Sequence, residues 1–234
     1  MQYLSVKEGP KDVSRIILGC MRMPSLSVEE AARQIEEAVA LGINFFDHAT
    51  CYGRGDAEAR FGEALRKTAL KREDLWIQDK CGLCFERSEF DWSKENIIKS
   101  VEESLKRLQV EYLDVLLLHR PDLIYEPEEV ADAFQNLESI NFSQNFFTLI
   151  HNTPEGGARL FNERMTADVL KKYVKQPLRI NQLQLSLPAS QLIDQTLYVN
   201  DMTTERSIDR DNGLLDYCRL EEITIQAWSP LQFG

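Results

Sequence analysis

The chain has 234 residues, 43% of them hydrophobic and 28% charged, the make-up of an ordinary globular protein rather than a disordered one. Its formal net charge is −11, with an isoelectric point near 4.9. That excludes a nucleic-acid backbone as the expected partner, since phosphate binding needs clustered Lys and Arg.

The start, MQYLSVKEGP, lacks the basic segment and apolar run of a secretory signal. Val13 to Leu18 reads as a first strand ending at Gly19-Cys20-Met21. Ser27, with Glu30 three residues on, forms a capping box that opens a helix from Val28 to Leu41. Gly42 stops it. Ile43 to Phe46 is a short apolar, aromatic run, a second strand, ending on Asp47. Tyr52-Gly53 follows in a loop, and Ala57 to Lys67 is the next helix. Leu75 to Asp79 is a third strand running into Lys80. A long loop, Cys81 to Trp92, leads to Ser93 as N-cap and a helix from Lys94 to Leu108. Tyr112 to Leu118 is a fourth strand, followed by His119-Arg120-Pro121-Asp122. Pro127 opens a helix over Glu128 to Leu137.

Beyond this point the pattern loosens. Asn145 to Ile150 is a fifth strand ending at His151-Asn152. Thr166 to Val174 is a helix and Ile180 to Leu185 a sixth strand. The polar stretch Asp194 to Arg210 reads as a surface loop. Asn212 to Arg219 is a short helix and Ile223 to Trp228 a seventh strand. No linker interrupts residues 1–234, so a single domain is expected. Strict strand–helix alternation implies an α/β fold with parallel strands and right-handed crossovers.

Three successive strands end on ionisable groups, and parallel strands gather such ends at one rim, where these folds place their chemistry. Asp47, Tyr52, Lys80 and His119 are mutually compatible in role. A phenol is a weak acid, with a pKa of about 10. An ammonium nearby favours the phenolate, and an aspartate keeps the ammonium charged. A histidine can hydrogen-bond a bound carbonyl. The set suits carbonyl reduction, with hydride from a nicotinamide, better than hydrolysis, because no Ser or Cys nucleophile with a matching base stands out. Each residue also has a bland reading: Asp47 as a cap, Lys80 as a solvated strand end, His119 as a structural histidine, Tyr52 as turn packing. The five cysteines are an odd count without a secretory signal, which implies reduced thiols and a cytoplasmic location. Cys81 and Cys84 have half-zinc-site spacing but no second pair, so no metal is expected. No run reaches the roughly 18 to 20 apolar residues that span a bilayer.

FFDHATCYG (Phe45 to Gly53), IQDKCG (Ile77 to Gly82), LLLHRPD (Leu116 to Asp122), INQLQLS (Ile180 to Ser186) and IQAWSPLQFG (Ile225 to Gly234) stand in the order of the aldo-keto reductase superfamily, which the chain resembles. The resemblance implies a (β/α)8 TIM barrel, NADP(H) as cofactor and a small-molecule carbonyl substrate. It makes Tyr52 the general acid, has Lys80 lower its pKa, pairs Asp47 with Lys80, and gives His119 the carbonyl. It assigns Gln182 to the nicotinamide carboxamide, Trp228 to stacking on the ring, and Ser229 and Leu231 to the pyrophosphate. Gly19 and Met21 would lie under the nicotinamide edge. Residues 139–165 depart from the family pattern. Asn152 stands in for the strand-end asparagine of the carboxamide site, with His151 where a serine is usual. The chain stops after the seventh strand, so the barrel is expected to lack its eighth unit and to expose two strand edges. A non-catalytic relative, a cofactor sensor or regulatory subunit, is the alternative. The substrate, the choice between NADPH and NADH, and the oligomeric state are not legible.

Overall fold

In the computed structural model, alternate residues of each strand point to opposite faces of a curved parallel sheet, and this alternation organises everything else. The structure describes residues 1–84, 89–120, 122, 124–141, 147–149, 166–198, 200–201, 203–207 and 213–231. In chain order the strands are β1 (Tyr3–Leu4), β2 (Val13–Ser14), β3 (Leu18–Gly19), β4 (Phe45–Asp47), β5 (Trp76–Cys81), β6 (Leu83–Cys84), β7 (Glu89–Phe90), β8 (Val115–Leu118), β9 (Phe147–Leu149), β10 (Ile180–Gln184) and β11 (Thr224–Trp228). The helices are α1 (Val28–Ala40), α2 (Asp56–Leu65), α3 (Lys94–Leu108), α4 (Pro127–Asn141), α5 (166–173), α6 (Gln191–Tyr198) and α7 (Leu214–Leu220).

Parallel pairing runs β3-β4-β5-β8-β9, and β10 pairs in parallel with β11. β9 and β10 are neighbours in space, so seven parallel strands follow one another in chain order around an arc. Among the described residues β3 pairs only with β4, and β11 only with β10. Phe46, Ile77, Leu116, Leu118 and Leu183 face outward and pack with the buried sides of the helices. Phe45, Val115, Leu117 and Ile180 face inward. Val13 of β2 and Val6, two residues after β1, join that inner cluster and close one end of it.

Local chemistry explains the element ends. Ser27 Oγ accepts from Glu30 N at 3.2 Å while Glu30 Oε2 accepts from Ser27 N at 2.8 Å, completing the capping box expected for α1. Ser93 Oγ accepts from Asn96 N in the same way at the start of α3. Gly62 faces α3 so closely that a Cβ there would stand 2.6 Å from the Leu108 carbonyl; only glycine lets α2 and α3 approach to this distance. At the amino end of the sheet, Arg72 donates to Asp114 Oδ2 at 2.6 Å, to Tyr112 O at 2.9 Å and to Leu75 O at 2.7 Å. Asp114 Oδ2 also accepts from Ile77 N at 2.8 Å, tying β5 to β8.

Four expectations need correction. Val13 to Leu18 is not one strand. Ser14 Oγ donates to Ile16 O at 2.7 Å, and this local bond breaks the run into β2, which belongs to the antiparallel pair, and β3, which belongs to the parallel sheet. The loop from Cys81 to Trp92 contains the antiparallel pair β6–β7. The polar stretch from Asp194 is not a plain loop either. Helix α6 runs to Tyr198 because Leu192 is buried against the core and Ser190 O accepts from Ile193 N at 2.8 Å, and a short 3-10 turn covers Glu205–Ser207. The helix expected over Glu128 to Leu137 runs on to Asn141. No helix among the described residues is long and apolar enough to cross a membrane.

Candidate active site

β4 ends on Asp47, whose backbone position is register-paired with Gly19 on one side and Gln78 on the other. The chain beyond Asp47 stays pinned to β5: His48 N donates to Gln78 O at 2.8 Å and Thr50 N to Lys80 O at 3.0 Å. Tyr52 N then donates to Ala49 O at 2.9 Å, and Gly53, Arg54 and Gly55 all take positive φ, which turns the chain sharply into α2. This tight turn holds Tyr52 over the end of β5. His119 directly follows β8, and its N donates to Cys81 O at 2.6 Å.

These constraints bring the four candidates together. Lys80 Nζ donates to Asp47 Oδ2 at 2.6 Å, to Tyr52 Oη at 3.0 Å and to the His48 carbonyl at 2.7 Å. Tyr52 Oη also lies 3.5 Å from Asp47 Oδ2. His119 Nδ1 lies 3.5 Å from the Cys51 sulfur. Lys80 is only 1% exposed. Burial alone would lower its pKa, but Asp47 and Tyr52 outweigh this and hold the ammonium above its ordinary value. Burial raises the Tyr52 phenol above the ordinary tyrosine value, and the Lys80 charge opposes the rise without reversing it. The lowering expected from Lys80 is therefore present as an opposing pull, while the net direction is upward.

Beneath the four lies a layer that the sequence reading missed. Gln78 Nε2 donates to Asp47 Oδ1 at 2.5 Å and to Gln226 Oε1 at 3.0 Å. Gln182 Nε2 reaches the same two acceptors at 3.2 Å each, and Gln226 Nε2 returns a bond to Gln78 Oε1 at 3.2 Å. All three amides are buried. Both carboxylate oxygens of Asp47 are thus held, one by amides and one by the ammonium. The available signal was the period of two: Gln78 stands two residues before Lys80 and must share its face.

The family model described as Aldo/keto reductase family matches residues 15–139, more than half of the chain. The chain belongs to the aldo/keto reductase family. It is 33% identical over 231 residues to the uncharacterized oxidoreductase YcsN of Bacillus subtilis, covering 94% of this chain and 68% of that protein. Among solved structures it superposes on the aldo-keto reductase AKR11C1 from Bacillus halodurans, holo form, with a TM-score of 0.70 at 23% identity, covering 96% of this chain and 65% of that one. It also superposes on an aldo-keto reductase from Klebsiella pneumoniae in complex with NADPH, with a TM-score of 0.67 at 22% identity, covering 99% of this chain and 69% of that one. Those likenesses establish the (β/α)8 barrel type of fold, and this chain spans about two thirds of the length of these three proteins.

The residues that the aldo/keto reductase resemblance assigned to the cofactor sit at the same rim. Gly19 ends β3, and among the described residues, its chain neighbours apart, no atom lies within 4 Å of where its Cβ would stand, so open space adjoins it. Met21 is exposed, Trp228 ends β11 half-buried opposite Gln184, and Ser229 follows with a φ of 47°. Leu231 is exposed. Gln182 lies deeper, in the amide layer. Asn152 and His151 lie outside the described residues. Gln184 Oε1 is buried with no hydrogen-bond partner among the described residues, an orphaned acceptor that an amide N–H from a ligand would satisfy. Cys81 and Cys84 are both buried free thiols.

His48 adds a pH dependence. Its ring is fully buried edge-on to Phe61, at 4.5 Å between centroids, and among the described residues neither nitrogen has a hydrogen-bond partner. Burial pushes its pKa down to about 3. A folded value below the unfolded one means that the unfolded chain binds the extra proton first. Stability is therefore full above the unfolded value and is lost as pH falls toward 3. At pH 5 the loss from this residue is about 2 kcal/mol, taking ~6.5 for the unfolded ring. Burial holds the Asp79 carboxyl high, with Glu58 beside it, which works in the opposite direction, so the check is a comparison between variants. The expected result is that melting temperature falls less between pH 7.5 and pH 5 in His48→Leu than in the native chain. Equal falls would rule out His48 as the source.

Proposed function

We propose that this chain carries the catalytic residues of an NADPH-dependent reductase that converts an aldehyde or ketone to an alcohol. The observation that supports it is the single ammonium shared between a carboxylate and a phenol: Lys80 Nζ bonds Asp47 Oδ2 and Tyr52 Oη at once. The phenol carries its proton at neutral pH, but burial makes it a weaker acid than an ordinary tyrosine, so its donation depends on the charge beside it. As its proton passes to the carbonyl oxygen, the adjacent ammonium stabilises the phenolate left behind. Asp47 holds that ammonium in place and in its charged form. His119 hydrogen-bonds the same carbonyl oxygen and orients it. The nicotinamide, when bound, supplies the hydride. Gly19, Met21, Gln182 and Trp228 are the residues that would hold it, Ser229 and Leu231 would meet the cofactor's pyrophosphate, and the open space at Gly19 and the orphaned Gln184 acceptor fit such a group.

The test is a titration of the protein with NADPH, followed by cofactor fluorescence, and then aldehyde-dependent NADPH oxidation. Saturable binding and turnover are expected. Absence of binding up to millimolar cofactor would discard the reductase reading for this chain and leave the non-catalytic alternative.

A further inference from the structure

The residue before Tyr52 has a structural relation that the proposed chemistry does not use. Cys51 sits on the turn pinned by the Thr50–Lys80 and Tyr52–Ala49 backbone bonds, so its side chain cannot drift far. Its sulfur lies 3.5 Å from Nδ1 of His119. His119 is buried, and no other hydrogen bond holds its ring among the described residues. The Cys51–His119 contact therefore decides which ring nitrogen carries the proton.

We propose that the Cys51 thiol donates its S–H to Nδ1 of His119 and so locks the imidazole in the tautomer that bears its proton on Nε2. A neutral imidazole has one N–H and one bare nitrogen. If Nδ1 carried the proton, its N–H would point at a sulfur, a poor acceptor, while the S–H found no use there. With the proton on Nε2, the S–H meets the strong lone pair of Nδ1, and Nε2–H is left as the one donor the ring can offer to a carbonyl oxygen. The ionisation states agree. Burial pushes the thiol up to about 11 and the imidazole down to about 3, so at pH 7 both are neutral and the S–H is present. Cys51 is thereby a positioning residue, acting through His119. Its link to catalysis rests on the reductase reading, but the tautomer itself does not.

The experiment reads the tautomer without requiring turnover. In uniformly 15N-labelled protein at pH 7.5, long-range proton–nitrogen correlation distinguishes a protonated from a bare ring nitrogen. The chain has 3 histidines, and the His119 signals are those missing from His119→Gln. The native chain should show a bare Nδ1 and a protonated Nε2. Cys51→Ser, which keeps a donor in place, should retain that pattern. Cys51→Ala should raise the minor tautomer from undetectable to a readily measured share, with nitrogen shifts moving toward the average. A native His119 protonated on Nδ1 overturns the proposal, as does an unchanged His119 pattern in a folded Cys51→Ala. Where NADPH binds and turns over, Cys51→Ala should lower kcat several-fold, Cys51→Ser should restore it, and NADPH affinity should stay level. A chain that binds no NADPH but shows the Nε2 tautomer defeats the reductase reading alone.

Discussion

Replacing Tyr52 with phenylalanine should lower aldehyde-dependent NADPH oxidation by roughly two to four orders of magnitude while leaving NADPH binding nearly unchanged. The factor corresponds to about 3 to 5 kcal/mol of transition-state stabilisation. The reason is geometric. Tyr52 Oη is the only hydroxyl that the described structure holds 3.0 Å from Lys80 Nζ and 3.5 Å from Asp47 Oδ2. Phenylalanine keeps the ring, so the cation stays near an aromatic face (4.8 Å to the Tyr52 centroid in the native chain) and local packing survives. What goes is the transferable proton. The measurement is steady-state turnover beside a fluorescence titration. Turnover retained at the native rate would strip Tyr52 of the acid role.

The second large effect is on stability. Lys80→Met should lower the melting temperature by on the order of 10 °C, from a loss of about 3 to 5 kcal/mol. Lys80 and Asp47 have side chains only 1% and 10% exposed, at 2.6 Å. Removing the ammonium leaves a buried carboxylate with no cation beside it among the described residues, held by the Gln78 and Gln182 amides and, at 3.5 Å, the Tyr52 hydroxyl. An isolated buried charge costs far more than a missing contact. Lys80→Arg should not restore the native state, because a planar fork does not fit a point held by three acceptors. Asp47→Asn combined with Lys80→Met should recover part of the loss, since the unpaired charge is gone. Calorimetry on the four proteins closes the cycle. A Lys80→Met chain that melts with the native one would show that the pair contributes no net stability.

The two predictions differ in how far the sequence alone could carry them. Asp47 and His119 close apolar runs of strand length and Lys80 stands one residue before the end of β5, and position near a strand end is a local property that periodicity and composition report. The same holds for the Ser27–Glu30 capping box and for the α/β alternation. Boundaries were weaker where a side chain competes with the ladder, as Ser14 does, or where one buried contact such as Leu192 decides a helix. Asn152, expected at the cofactor from the family resemblance, falls outside the described residues.

By itself, then, the order of amino acids determined the α/β architecture, the family motifs and the four polar candidates at and just beyond the strands, because each depends on neighbours a few residues apart. The tertiary structure alone decided that Gln78 and Gln226, separated by 148 positions, would meet beneath Asp47, and that Cys51 would face His119 across 68. It also decided that burial would outweigh Lys80 in setting the acidity of Tyr52. Such contacts arise from sheet curvature and strand register, and desolvation depends on everything packed around a group; neither is written in any short stretch of chain.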